Sequence, residues 1–325
     1  MLKKSLLAAA AIIAVAAMPA GASAAGKIKI GFLPGVVDPF YQVMQKGVEA
    51  AAKDLGIDVV TQIPQSWGVE QEKPLLDAMV ARGDLNYIIS APVDKDQMIG
   101  PFQAANDAGV KIITVDTFLG DGDYANGPVK FPLSYLGSNN EQGGRLIADG
   151  MAKSIGDKGT VYLLSTNPNV SSVGAREKGF TEEMKEKHPN ITVIGPDYDL
   201  DDQQKATQMT ATVIEQHPDL AGVFGTNVFS AQGAAAAITN AGLGGKVVIA
   251  SWDATAANME NLNKGLVSQV LAQKPFDMGY LAVEFAAADA AGVTSIPKHV
   301  ETGFAILDKT NESDPNFSRF IYKAN

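Results

Sequence analysis

The strongest constraint in this chain is an alternation of short apolar runs, rich in β-branched residues, with longer stretches of helical period. It runs once from Lys27 to Asp116 and again from Tyr135 to Asp253. Short strands separated by helices of this length do not pair as hairpins. They need crossover connections, and the outcome is a parallel sheet with helices on both faces. In the first set, residues 27–33, 57–61, 87–90 and 110–115 read as strands, and 70–81 and 97–107 as helices. Between the first two strands, Phe40, Val43, Met44, Val48, Ala51 and Leu55 recur at helical spacing. Asp38 before Pro39 supplies a cap and a proline at the first helical position, and Gly56 ends the helix.

A break separates the two sets. Residues 118–132 carry Gly120, Gly122, Gly127, Pro128 and Pro132 with no apolar period, the pattern of a functional or linking loop. The second set gives helices at 141–154, 174–187 and 203–216 and strands at 160–165, 191–194, 220–224 and 247–250, with a further helix over 231–241. The remaining strand at 266–271, helix at 276–291 and strand at 301–307 are too little for a third core and complete the earlier sheets. The expected architecture is α/β: two similar doubly wound parallel-sheet lobes, between which the chain crosses more than once, with residues 273–275 and 301–303 as further crossings. The first lobe takes residues 25–134 and 274–302, and the second takes 135–273 and 303–325.

Asn227, Trp252 and Asp253 fall just past the carboxyl ends of neighbouring strands, the rim where open α/β sheets bind ligands. The same positions also suit residues that only cap the following helices. Trp67, after the second strand, sits on the same rim and reads as a surface loop, with cleft lining as the alternative.

The N-terminus bears on compartment. Lys3 and Lys4 precede an apolar run from Leu6 to Ala17, and Ala22-Ser23-Ala24 is a small-x-small cleavage signal. This pattern predicts a secretory leader over residues 1–24, too short and too broken by Pro19 and Gly21 for a membrane anchor. The chain has no cysteine, which removes lipid attachment, thiolate metal sites and cysteine nucleophiles together. Net charge is −10, which disfavours nucleic acid and anionic membrane surfaces as partners. The expected setting is the periplasm, with the mature protein a soluble monomer.

Seven short motifs stand in order along the chain: Asp38-Pro39-Phe40-Tyr41, Ile113-Thr114-Val115-Asp116, Gly137-Ser138-Asn139-Asn140, Arg176-Glu177-Lys178-Gly179-Phe180, Phe224-Gly225-Thr226-Asn227, Ser251-Trp252-Asp253 and Leu271-Ala272-Gln273-Lys274-Pro275. With these the chain resembles periplasmic substrate-binding proteins of the ribose- and galactose-binding type, the receptors of sugar ABC importers. The resemblance implies two lobes joined by a three-strand hinge with a ligand in the cleft between them, and a sugar held there by Asp38 and Asp116 from the first lobe and by Arg176, Asn227 and Asp253 from the second. It implies apolar ring contacts from Phe40 and Tyr41, Trp252 stacked on the opposite ring face, and Gln273 at a hinge. Flat aromatics with carboxylates, amides and a guanidinium also suit the CH-rich faces and hydroxyl rim of a sugar on chemical grounds alone.

Three positions depart from the ribose-type pattern: Ala91 replaces an Asn, Thr117 an Arg and Pro34 a Ser. Losing an amide and a guanidinium points away from ribose, toward another pentose, a furanose, or a tetritol or pentitol. No nucleophile–base pair stands out, so no enzyme is expected, nor any cofactor. Residues 121–132 do not make a calcium loop, because Asn126 and Pro132 stand where Gly and Glu are needed. The three histidines are scattered, and no metal site is expected. The partners expected are a small polyhydroxylated ligand and an ABC permease. The same capture step serves an exported ligand sensor for a chemoreceptor or histidine kinase, which the residues do not separate from transport.

Overall fold

The structure, a computed structural model, describes residues 28–322. The leader expected over 1–24 lies outside them. The first lobe is built from β1 (Lys29–Leu33), α1 (Pro39–Leu55), β2 (Asp58–Thr61), α2 (Val69–Ala81), β3 (Tyr87–Ser90), α3 (Ile99–Asp107), β4 (Lys111–Val115) and β5 (Ser134–Gly137). The second lobe contains α4 (Asn140–Ile155), β6 (Gly159–Ser165), α5 (Ser171–Lys187), β7 (Ile191–Tyr198), α6 (Gln203–Gln216), β8 (Leu220–Gly225), α7 (Val228–Asn240), β9 (Val248–Trp252), α8 (Ala256–Lys264) and β10 (Val267–Ala272). The chain then returns with α9 (Pro275–Ala290) and β11 (His299–Glu301) and ends with β12 (Ala305–Leu307) and α10 (Pro315–Ser318).

Each lobe holds one six-stranded sheet, in the orders β11-β5-β4-β3-β1-β2 and β12-β10-β9-β8-β6-β7. All pairings are parallel except β10 with β12. Both sheets reverse winding beside their first strand, between β1 and β3 and between β6 and β8. Those reversals are the crevices where open α/β sheets take ligands. Here the two rims face each other.

Four differences from the sequence expectation have local causes. The first lobe extends through Gly137 rather than ending at 134, because β5 pairs in register with β4 from Ser134 onward. The Gly- and Pro-rich stretch 118–132 is not a linker: Leu119, Tyr124 and Val129 are buried in the first-lobe core. Residues 301–307 form not one strand but parts of two short ones, β11 and β12, in different sheets. And β7 continues past Gly195-Pro196 to Tyr198, with a register irregularity opposite Tyr162 and Leu164. The short helix α8 has no strong apolar period in the sequence and starts from a Thr255 cap.

Two helix arrangements fix the site's geometry. In α1, Asp38 Oδ1 accepts the Tyr41 N–H at 2.7 Å, Pro39 comes next, and Gly56 closes the helix at φ 67°. This cap aims the first turn, with Phe40 and Tyr41, at the cleft. On the other side α4 and α5 pack backbone to backbone: a Cβ on Gly144 would stand 2.2 Å from Arg176 O, and one on Gly179 would stand 2.0 Å from Glu141 O. Only glycine allows that approach, and it sets the depth at which α5 presents Arg176.

Candidate functional site

The loops after the central strands of both sheets converge on one cavity between the lobes, about 410 Å³ of empty space counting solvent at its mouth. Phe40, Tyr41 and Trp67 form its first-lobe wall. Phe40 and Tyr41 meet edge to face at 5.0 Å, and Tyr41 stacks on Trp67 at 6.3 Å and 27°. The Trp67 Nε1–H donates to Val93 O, and its ring packs over Gly35. Trp67 is therefore cleft lining. The second-lobe wall offers Val170, Val173 and Val228 with the polar groups of Thr166 and Ser172.

Asp38, Phe40, Tyr41, Asp116, Arg176, Asn227, Asp253 and Gln273 all line this cavity. Trp252 does not. Its ring is fully buried in the second-lobe core beside Phe224, and the Arg176 guanidinium lies over it, 4.3 Å from its centroid. A strand's side chains alternate faces; as the last residue of β9, Trp252 points into the sheet's packed face while Asp253 turns out. The expected stacking face is thus a support under Arg176. Ala91 is buried inside the first-lobe core and Thr117 is likewise buried, neither on the wall.

Arg176 is held from three sides. Its Nε donates to Asn140 Oδ1 at 2.9 Å, its Nη1 to Thr226 O at 2.8 Å, and its Nη2 lies 3.8 Å from Asp116 Oδ1 on the opposite lobe. Around it stand four carboxylates. In each, one oxygen is tied by the protein: Asp38 to Tyr41 N–H, Asp116 to Tyr41 O–H at 2.8 Å, Asp201 to Asn227 Nδ2, and Asp253 to Gln273 Nε2 at 2.9 Å and to Tyr322 O–H at 2.7 Å. Asp116 Oδ1 is buried and has no hydrogen-bond partner among the described residues. The amide donors are largely spent on carboxylates, so the cavity presents acceptors and asks for donors. The four do not converge as metal ligands: among the described residues no group of three or more His, Cys, Asp or Glu is placed to hold an ion.

Burial pushes the Asp116 carboxyl up to about 6 despite Arg176 and the Tyr41 hydroxyl, and pushes Asp201 up to about 7 despite Asn227. Asp253 is raised by burial against the pull of Arg176. Asp38 is half-buried by area, yet enclosure between the lobes and the neighbouring carboxylates drives it well above the carboxylate range. Asp116 and Asp253 also sit at φ 60° and 70°, in the left-handed region that Asp tolerates better than most residues. Strain of this kind persists where surrounding structure over-determines it, and it gathers at ligand sites.

The capping alternative and the cleft reading hold at once. Asn227 Oδ1 accepts Ser230 N–H at 2.9 Å as the cap of α7, which leaves its Nδ2 for Asp201 and the cavity. Asp38 does the same for α1. Two residues bonded to the site's polar groups lie outside the sequence expectation, Asp201 on the wall and Tyr322 behind it, as do the wall residues Val36, Thr166, Val170, Ser172, Val173 and Val228. Asp201 comes after β7, and ending that strand at 194 hides the Asp199–Asp202 run from the rim. Tyr322 comes from the last segment of the chain, which shows no sequence signal of its own.

The lobes are closed on each other. Besides Arg176 and Asp116, the Phe118 N–H donates to Ser171 Oγ at 2.8 Å, and Asn169 bridges to Asp94 Oδ2 at 3.1 Å and to the Lys95 N–H at 3.0 Å.

Comparison with known proteins places the chain. Residues 30–293 match the family described as periplasmic binding protein domain. The ribose import binding protein of Escherichia coli is 27% identical over 250 residues, 77% of this chain and 80% of that protein. An ABC transporter solute-binding protein from Agrobacterium vitis, solved with α-D-tagatopyranose, is 41% identical, covers 91% of this chain and 100% of its own, and superposes with a TM-score of 0.88. A carbohydrate transporter solute-binding protein from Agrobacterium radiobacter, solved with D-arabinose, is 27% identical with a TM-score of 0.84, covering 91% and 99%.

Proposed function

Because the chain belongs to the periplasmic binding protein domain family, we propose that it is the solute-binding receptor of an ABC importer, closing two lobes on a small neutral sugar or sugar alcohol in the periplasm. The observation that carries this reading is the opposition of Asp38 and Asp116 on one rim to Arg176, Asn227 and Asp253 on the other. A ligand that bonds to both rims favours the closed state over the open one and is thereby captured. Its hydroxyls supply the donors that the carboxylates lack, and its CH face lies on Tyr41 and Trp67. A micromolar Kd needs about −8 kcal/mol, within reach of several hydrogen bonds and one apolar face.

Pentoses, ketohexoses and small polyols carry the ring of hydroxyl donors that this acceptor-rich cavity asks for. The excess of carboxylates over the single guanidinium argues against anionic ligands such as uronates and sugar phosphates. The ligand leaves unchanged, as capture and delivery by a solute-binding receptor require. Delivery is to a membrane permease; service to a chemoreceptor uses the same capture step.

A thermal-shift screen tests the proposal. D-Tagatose, D-arabinose, D-ribose, D-allose, erythritol and xylitol are compared with D-galacturonate and ribose 5-phosphate. A Tm rise with one or more neutral compounds and none with the acids is expected. A rise only with the acids, or with none of the set, contradicts it.

A further inference from the structure

The C-terminal segment reaches behind the cleft at a point that neither rim explains. After β12, Phe317 of α10 and then Phe320 and Ile321 pack on the second-lobe core, and the Tyr322 N–H donates to Ala254 O at 2.9 Å. The Tyr322 ring, however, is buried in the first-lobe core, 6.1 Å from Phe40. Its hydroxyl donates to Asp253 Oδ1 at 2.7 Å and accepts the Gln273 N–H at 3.1 Å. Gln273 lies on the second crossing between lobes, and its Oε1 accepts Ser138 Oγ–H on the first crossing at 2.8 Å. One side chain therefore touches a ligand-facing carboxylate, the apolar wall of the opposite lobe and one crossing, and reaches a second crossing through Gln273.

That position has a consequence for Asp253. The residue sits at φ 70° on a loop whose carbonyls are held by Asn258 Nδ2, and among the described residues its carboxylate is oriented by two donors, Gln273 and Tyr322. The Tyr322 ring can reach Asp253 while packed on Phe40 only when the two lobes are together. Gln273 also forms the partition between the cavity and an outward groove beside Lys274 and Arg319, and Tyr322 backs it there.

We propose that Tyr322 is a positioning residue of the cleft: it orients Asp253 toward the ligand and makes affinity depend on seating of the C-terminal segment between the closed lobes. The proposal rests on the reading of this cavity as the ligand site. The charged and titratable groups facing Asp253 are Arg176, Asp38, Asp116, Asp201 and Tyr322 itself.

Calorimetric titration of the full chain and of Tyr322→Phe, with the neutral compound giving the largest thermal shift, tests it across about pH 5 to 8. Y322F keeps the ring and removes one hydroxyl. The expected result is binding weakened about tenfold, the Tm of the free protein nearly unchanged, and the pH below which affinity declines moved upward, because Asp253 has lost a donor to its ionised form. Purely structural packing by Tyr322 leaves that pH profile in place. Equal affinity and an equal profile overturn the proposal while the ligand reading stands; a wild-type chain that binds none of the compounds overturns the ligand reading first. Failure of Y322F to fold contradicts the proposal, which places the hydroxyl in binding and not in stability.

Discussion

Closure of the empty cleft is expected to depend on acid. In an open cleft the Asp116 carboxyl is solvated and titrates near 3.8; in the closed, unliganded form it rises to about 6. The closed state therefore binds protons more tightly. Its penalty is absent below the solvated value, grows as pH rises between the two values, and is complete above the higher one. For Asp116 alone the penalty is about 3 kcal/mol at about pH 7.5 and about half that at about pH 5, a difference near 1.4 kcal/mol, or about tenfold in the closed-to-open ratio. Asp201, pushed to about 7, adds in the same direction. Donor and acceptor dyes on exposed helix positions of the two lobes, with circular dichroism as a check on folding, read the ratio without ligand. Acidification from about pH 7.5 to about pH 5 should raise the closed-to-open ratio at least about tenfold. A ratio that is constant, or that falls on acidification, refutes the reasoning that buried carboxylates hold the empty cleft open.

Other outcomes hang on single side chains. Arg176→Ala leaves Asp116 and Asp253 without their shared cation and should weaken ligand binding by about a hundredfold or more in calorimetry. Arg176→Lys should not restore it, because one ammonium cannot reach Asn140, Thr226 and the opposite lobe together. Trp252→Phe should weaken all bound sugars by a similar factor, about fivefold, by loosening the support under Arg176; a changed ranking among sugars would show direct ligand contact instead. Glu72 is fully buried, accepts from Ser90 Oγ–H at 3.0 Å and Val93 N–H at 2.9 Å, and is pushed up to about 8 by burial. A raised carboxylate costs stability as pH climbs from its unfolded value to its folded one. Wild-type stability, read by denaturant unfolding, should therefore fall relative to Glu72→Gln between about pH 5 and 8, by up to about 4 kcal/mol, and parallel curves for the two proteins would refute this.

Much of the site is legible in the sequence because the rim of a doubly wound sheet is defined by strand ends, and strand ends are marked by strong local signals. Asp38-Pro39, Asp116, Asn227 and Asp253 each come after an apolar run, and each lies on the cavity. Trp252 departs from its expected place because a strand's last residue and the residue after it point to opposite faces, a one-residue distinction that an apolar pattern does not resolve. Asp201 is hidden because Gly195-Pro196 imitates a strand end. Tyr322 is beyond reach: its own partners, Phe40, Asp253, Ala254 and Gln273, are all distant in sequence. The loss of donors at Ala91 and Thr117 is legible, but its meaning is not. Both side chains are buried off the wall, and Trp67 is the first-lobe group that shapes the ligand space.

Everything proposed for the cleft depends on one small neutral polyhydroxylated molecule bridging the two rims and leaving unchanged. Calorimetric titration with the strongest neutral compound of the screen, with mass analysis of the ligand released on denaturation, measures this directly. The expected result is one ligand per chain, at micromolar Kd or tighter, recovered at its original mass. Recovery of a converted molecule, or failure of every neutral sugar and polyol to bind, contradicts it.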